Sequence, residues 1–424
     1  MTSLRPRDLI TPPARALAQD LASLADTTDA AALTAVRRRH PDADPDLVGA
    51  MATQVRLRRR AVERLGPWAA ALVLDEEALQ QATRWDVARY RATRLAHLLG
   101  ASQPDGAPVT VADVGCGLGI DARALAEAGF HVRAIERDPW RHEAADVNLA
   151  AYADRVRVVL GDVLDLGQGL LGACDAAYVD PARRPIAGPR DARGGRSRAE
   201  SNPDSWSPPW PWVVSLADRI PVVAKAAPGL DTRHVPAGAD VEWIDHAGET
   251  VEACVWLGAL GHGSRRATAV SGERAESLWA PGHVAVGHVA PGPSPVGPAP
   301  VGRWLLEPTP GVVRAGLVTE LAERLQARPL GGGPHHISHW LTSDTPTTSL
   351  LARSWRVLDE VPHGARALRS WLRGKGSVTW KTVDAGVSAA AWDRSVGHRP
   401  GAGEPVTIVI TGHDRAFAVA RADD

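Results

Sequence analysis

Three glycines stand at alternate positions in the stretch VADVGCGLGID: Gly115, Gly117 and Gly119, with Asp113 just ahead of them. Glycine permits a tight turn and lets a ligand approach the backbone. A helix that begins directly after such a turn presents unpaired N–H groups. A dinucleotide, a phosphate and a sulfonium nucleoside all suit that turn. Further polar positions follow in order. Glu136 closes HVRAIE, where a carboxylate can accept hydrogen bonds from ribose hydroxyls. Gly161-Asp162 closes VRVVLGD, where Asp162 can meet a purine edge. Asp180-Pro181 closes the run DAAYVDP.

These residues need strands that end where they stand. PVTVADVG, HVRAIE, VRVVLGD and DAAYVD read as strands one to four, and IPVVAKAAPGLD as a fifth. GIDARALAEAGF and DPWRHEAADVNLAAYA read as the helices between them, the second with Asp138 as N-cap and Pro139 at its first position. Alternating strands and helices predict a parallel sheet covered on both faces. Ligands bind such sheets outside the carboxyl ends of the strands, which is where all four signals fall. ADVEWIDHAGETVEACVWLG then reads as an antiparallel pair with a Gly-containing turn. The region 1–84 reads as helical, with Arg runs in AVRRRH and VRLRRRAVERL. Residues 259–302 break the pattern, and APGPSPVGPAPVG reads as a linker or long loop. Beyond it, EPTPGVVRAGLVTELAERLQARPL recovers helical spacing, and strands and helices alternate again after Pro346.

The chain has 424 residues, 44% hydrophobic and 23% charged, and a net charge of −1, so it carries no bulk polyanion signal. Its basic residues are nearly all arginine; the lysines are Lys225, Lys375 and Lys381. Cys116, Cys174 and Cys254 are far apart, which argues against a disulfide framework or a cysteine metal site. His335, His336 and His339 have no cysteine or carboxylate cluster nearby and read as a polar loop. No apolar signal core or membrane-length apolar run is present, and the expectation is a cytoplasmic protein. PARRPIAGPRDARGGRSRAE carries six arginines against two acids directly after Asp180. Arg183 and Arg184 at its start are candidates for contacting a phosphate-rich substrate.

VADVGCGLG, AIERDP, LGDVLD and AYVDPARR together resemble the class I S-adenosylmethionine-dependent methyltransferases. The resemblance implies a Rossmann-like domain over 85–258 that uses S-adenosylmethionine. Asp113, Gly115, Gly117 and Gly119 would surround the cofactor's methionine part. Glu136 would take the ribose and Asp162 the adenine edge. Nitrogen-directed members carry Asn/Asp-Pro-Pro-aromatic where this chain has Asp180-Pro181-Ala182-Arg183. By this resemblance Asp180 and Pro181 are the candidate catalytic residues: the carboxylate would take the hydrogens of an acceptor amine and aim its lone pair, so that catalysis is largely positioning. The acceptor is kept; the second proline and the aromatic residue are not. Trp206, Trp210 or Trp212 can supply a stacking face instead. Residues 259–350 resemble a linker and small ferredoxin-like domain, and 351–424 a THUMP-like domain of a bacterial methyltransferase group. Together they give an α/β chain with α+β C-terminal domains, and they imply an RNA partner. Two rival readings remain: a catalytically silent RNA-binding protein that keeps the cofactor fold, and a methyltransferase for a protein or small molecule. An NAD-dehydrogenase fits less well. The last glycine comes one position earlier than in G-x-G-x-x-G, and Asp180-Pro181 is left unexplained.

Overall fold

The computed structural model describes residues 4–24, 29–100, 106–182, 203–282, 300–330, 339–383, 387–411 and 415–422. They form two compact units, residues 1–226 with 255–261, and residues 227–254 with 262–424.

The first unit opens with helices α1 (Pro12–Ser23), α2 (Asp29–Arg39), α3 (Pro45–Leu65), α4 (Glu76–Gln81) and α5 (Trp85–Leu99). Strands β1 (Thr110–Val114), β2 (His131–Glu136), β3 (Val156–Leu160), β4 (Ala176–Val179) and β5 (Val222–Ala226) alternate with α6 (Ile120–Glu127), α7 (Pro139–Asn148), α8 (Val163–Leu171) and α9 (Trp210–Leu216). The strands pair in the order β3-β2-β1-β4-β5, all parallel. β4 and β5 are buried at every position, as strands covered on both faces must be. The order reverses direction between β1 and β4, so their carboxyl ends flank a switch point.

The apolar stripe of α3, with Val48, Met51, Leu57, Ala61 and Leu65, is buried in a cluster that also takes in Leu118 and Ile120 at the start of α6 and Ala144 of α7. Asn148, at the end of α7, fixes this contact. Its amide donates to the carbonyls of Val73 and Leu118 at 3.0 and 3.2 Å and accepts the N–H of Val73 at 2.8 Å. The helical segment is therefore packed directly behind the glycine turn. The Arg runs are largely engaged. Arg56 and Arg60 meet Glu76, while Arg58 and Arg64 donate to the carbonyls of Leu72 and Ala82.

The second unit holds β6 (Asp240–His246), β8 (Ser264–Ser271) and β9 (Arg274–Pro281), along with the first part of β7 (Glu249–Leu257). β6 and β7 are joined by Ala247 and Gly248, both with positive φ, which is the two-residue turn of a tight hairpin. β8 lies parallel to β6 and pairs antiparallel with β9. Residues 264–281, read from sequence as part of the irregular stretch 259–302, are therefore strands. Gly272 at φ +58° turns one into the other. A seven-stranded sheet follows: β10 (Trp304–Pro308), β11 (Arg328–Pro329), β12 (Leu341–Ser343), β13 (Ala352–Val361), β14 (Val378–Val383), β15 (Val406–Thr411) and β16 (Ala416–Arg421). Its order is β11-β12-β10-β13-β16-β15-β14, so strands from both sides of residue 350 share it. Helices α10 (Pro310–Arg314), α11 (Val318–Leu325), α12 (Ala365–Trp371) and α13 (Ala389–Val396) complete the unit. Period-two alternation places Ile408 and Ile410 against α12 and α13, and Val409 with Trp340 and Trp355 in a separate cluster. Arg369 of α12 donates to the last carbonyls of α13, those of Ser395 and Val396. No helix among the described residues is long and apolar enough to cross a membrane.

Asn148→Ala should lower stability by about 1–3 kcal/mol, because it strands two polar groups of the buried Val73 backbone. Arg7→Ala removes an exposed ion pair with Asp146 and should change stability by less than about 1 kcal/mol. Thermal unfolding of the two variants checks both.

Candidate cofactor and acceptor site

The three glycines serve three purposes. All have positive φ, at +80°, +55° and +85° for Gly115, Gly117 and Gly119. A Cβ on Gly115 would lie 3.0 Å from the carbonyl oxygen of Asp180, so this glycine lets β4 approach the turn. A Cβ on Gly119 would press into Leu149 at 2.6 Å, so this one seats α6. A Cβ on Gly117 would meet nothing within 4 Å. Gly117 is the member of the set that faces open space, where a ligand can lie.

Glu136, 8% exposed at the end of β2, uses both carboxylate oxygens on backbone. Oε2 accepts the N–H of Gly117 at 2.9 Å and Oε1 that of Asp138 at 2.9 Å. A carboxylate oxygen has two acceptor positions, so each retains one for a hydroxyl. Asp138 caps α7 by accepting the N–H of Arg141 at 2.8 Å, as its place before Pro139 predicts. Asp162 accepts the N–H of Leu164 at 2.9 Å and lies 3.7 Å from Arg137. The side chains of Leu160 and Leu164 on either side of it are exposed.

Asp113 is 1% exposed, and neither carboxylate oxygen has a hydrogen-bond partner among the described residues. Burial holds its carboxyl well above the usual carboxylate range, and the charges of Asp121, Asp180 and Glu136 push the same way against Arg91. A buried acid with no donor is costly to keep. The ammonium of an amino acid, with its positive charge and three N–H donors, would satisfy it. The orphaned acid, the open face of Gly117 and the spare acceptor positions of Glu136 together fit S-adenosylmethionine.

Asp180 follows β4, its N–H held by the carbonyl of Val114 at 3.1 Å. Its Oδ2 receives Lys225 Nζ at 2.7 Å. Lys225, in the wholly buried β5, also donates to Thr83 Oγ1 at 3.0 Å. Thr83 donates to Asp121 Oδ2 at 3.1 Å, and Arg91 donates to both Thr83 and Asp121. Arg91 lies over the Tyr178 ring, 4.8 Å from its centroid. The sequence left the role of Lys225 open and did not single out Thr83, Arg91 or Asp121. A signal was there. Arg91 occupies the apolar stripe of α5 with Val87, Ala88, Ala92 and Leu95, and an arginine in that register needs a buried partner.

Pro181 is buried, and Ala182 forms an isolated antiparallel bridge with Ser207. Arg183 and Arg184 lie outside the described residues, as do His335 and His336. Trp206 and Trp210 are buried and pack edge to face with centroids 6.0 Å apart, so these two are part of the packing and offer no open stacking face. Among the described residues no group of three or more His, Cys, Asp or Glu is placed to hold a metal.

No protein-family model matches the chain. It is 32% identical over 338 residues to an uncharacterised S-adenosylmethionine-dependent methyltransferase of Mycobacterium tuberculosis strain H37Rv, covering 74% of this chain and 79% of that protein. The counterpart in strain CDC 1551 matches equally. A crystal structure of a protein designated a methyltransferase, from Porphyromonas gingivalis W83, matches with a TM-score of 0.69 at 18% identity, over 90% of this chain and 92% of that one. The chain belongs to the S-adenosylmethionine-dependent methyltransferases, and S-adenosylmethionine is its cofactor.

Two outcomes follow from the acids. A carboxyl whose folded pKa lies above its unfolded value contributes stability at low pH that is lost as pH rises through that window. For Asp113 the window starts near its ordinary value of 3.8 and runs upward. Cofactor-free Asp113→Asn should melt above the parent, by a margin that widens as pH rises from about 4, while binding S-adenosylmethionine more weakly. Equal margins at pH 4 and 8 would contradict the assignment. Glu136→Gln keeps the shape but replaces one acceptor with a donor. It should lose about 1.5–3 kcal/mol of cofactor affinity by calorimetry.

Proposed function

We propose that this methyltransferase acts in the cytoplasm on a nitrogen of an RNA nucleobase. The observation that carries the reading is Asp180. It stands at the carboxyl end of β4, with its backbone against the glycine turn, one oxygen held and 26% of its side chain exposed. In this reading Asp113 takes the cofactor's ammonium, Gly117 lies against its methionine part and Glu136 holds the ribose hydroxyls. Asp162 meets the adenine edge between Leu160 and Leu164. Bound S-adenosylmethionine supplies an electrophilic methyl group on a sulfonium. Oδ1 of Asp180 accepts an N–H of the acceptor, aims the nitrogen lone pair and takes the surplus proton as the N–C bond forms and the methyl's bond to sulfur breaks, S-adenosylhomocysteine being the leaving group. Pro181 stiffens the chain just after that carboxylate.

Support for RNA comes from charge. The six arginines that follow Pro181 in the sequence, beginning with Arg183 and Arg184, suit a polyphosphate backbone beside the acceptor position. The resemblance of residues 351–424 to a THUMP-like domain points the same way by analogy.

The test is transfer of tritium from methyl-labelled S-adenosylmethionine to total RNA of a strain lacking the gene, followed by nucleoside analysis. Label in one methylated base is expected. Asp180→Asn should reduce it by roughly 10²-fold with cofactor affinity unchanged. Label confined to protein or small molecules would remove the RNA reading.

A further inference from the structure

The parent reading, transfer guided by Asp180, leaves a question about the carboxylate itself. A carboxylate turns freely about its last torsion and offers two equivalent oxygens. An amine guided by a swivelling acceptor is poorly aimed. We propose that Lys225 is a positioning residue for the acceptor: it fixes Oδ2 of Asp180 and leaves Oδ1 as the one oxygen that faces the incoming nitrogen.

Three observations carry this. The first is burial. Lys225 is 6% exposed in a strand buried at all five positions, so it cannot reach out to a phosphate or a base. Its contact with the reaction runs through Asp180. The second is bracing. The ammonium is shared between Asp180 and Thr83, and Thr83 is itself held by Asp121 and Arg91. Arg91 in turn is tied to Asp121 and lies over Tyr178. The chain of bonds runs from the first turn of α6 through α5 to β5 and ends on the carboxylate. A hydrogen-bonded chain anchored at both ends holds its last member more firmly than a lone pair does. The third is asymmetry. Oδ2 of Asp180 is held by Lys225, while among the described residues Oδ1 accepts no hydrogen bond and the side chain keeps 26% exposure. One oxygen is locked and one is open.

A buried ion pair is weak evidence for a stabilising purpose, since a well-packed apolar pair of similar volume often does as well. Its place here, on the residue next to the glycine turn, is explained by aim. Thr83 takes part although it lies far from the glycine turn in sequence. Its hydroxyl is a fixed point that keeps the ammonium from following the carboxylate if the latter turns.

The experiment compares the parent with Lys225→Met, Thr83→Val, Asp180→Asn and the Lys225→Met/Asp180→Asn double variant. S-adenosylhomocysteine affinity by calorimetry reports folding and the cofactor site. Methyl transfer at saturating S-adenosylmethionine is measured in whole extract of a strain lacking the gene, which contains every class of acceptor. Cofactor affinity should stay within about threefold for all four, while Lys225→Met loses on the order of 10²-fold in transfer rate. Thr83→Val keeps the ion pair and should lose less, about tenfold. Residues that act as a unit are non-additive, so in the Asp180→Asn background Lys225→Met should cost no more than about threefold. Losses that multiply in the double variant would mean that Lys225 acts elsewhere. Parental transfer in Lys225→Met or in Asp180→Asn, or loss of cofactor binding together with transfer, also overturns the role. The fraction that takes the label decides the RNA reading separately. Label in protein or small molecules removes RNA and leaves the Lys225 result intact; no label in any fraction removes both.

Discussion

The carboxylate of Glu136 holds the site together. One oxygen takes the amide of Gly117 and the other the amide of Asp138, so a single side chain ties the glycine turn to the exit of β2 and the start of α7. The amides of Gly115 and Cys116 both reach the carbonyl of Ile135, which locks the same two segments from the other side. Behind the turn, Asn148 links Leu118 to Val73. Ahead of it, Gly115 leaves room for the backbone of Asp180. The ends of β1, β2 and β4 are thus drawn to one place, and the acids they carry come with them.

That convergence has an electrostatic cost. The charges of Asp121, Asp180 and Glu136 all bear on Asp113, and two cations are built in against them. Arg91 serves Asp121 and Lys225 serves Asp180. Asp113 has no such partner among the described residues. Its burial without a donor makes the cofactor-free protein less stable than it need be, and a bound cation would relieve it. Ligands that bind the folded state alone also stabilise it by mass action. The site is therefore poised so that the cofactor completes the structure, a common form of trade between stability and function.

The parallel sheet and the places where its strands end were legible because each strand is a short apolar run stopped by a polar or glycine residue. Asp138 before Pro139 marked a helix start with the same clarity. Residues 264–281 were less so. Their strands carry charged residues, Arg265 and Arg266 in SRRATAVS and Arg274 and Glu276 in RAESLWAP, and sit beside a Pro/Gly-rich stretch that dominated the reading. The acids of the site could be named from strand ends. Their partners could not, because Thr83 and Arg91 come from a helical region with no sequence link to the glycine turn. Lys225 announced itself only as a lysine in an apolar run. What the sequence hides here is pairing between distant segments, which depends on how helices stack and not on local pattern.

The most direct measurement is a crystal structure of the full chain with S-adenosylhomocysteine bound. The expected structure has the ligand's ammonium within hydrogen-bond distance of Asp113, its ribose hydroxyls on Glu136, and Oδ1 of Asp180 open with Oδ2 still on Lys225. A ligand seated elsewhere, or one that leaves Asp113 without a donor, would contradict it.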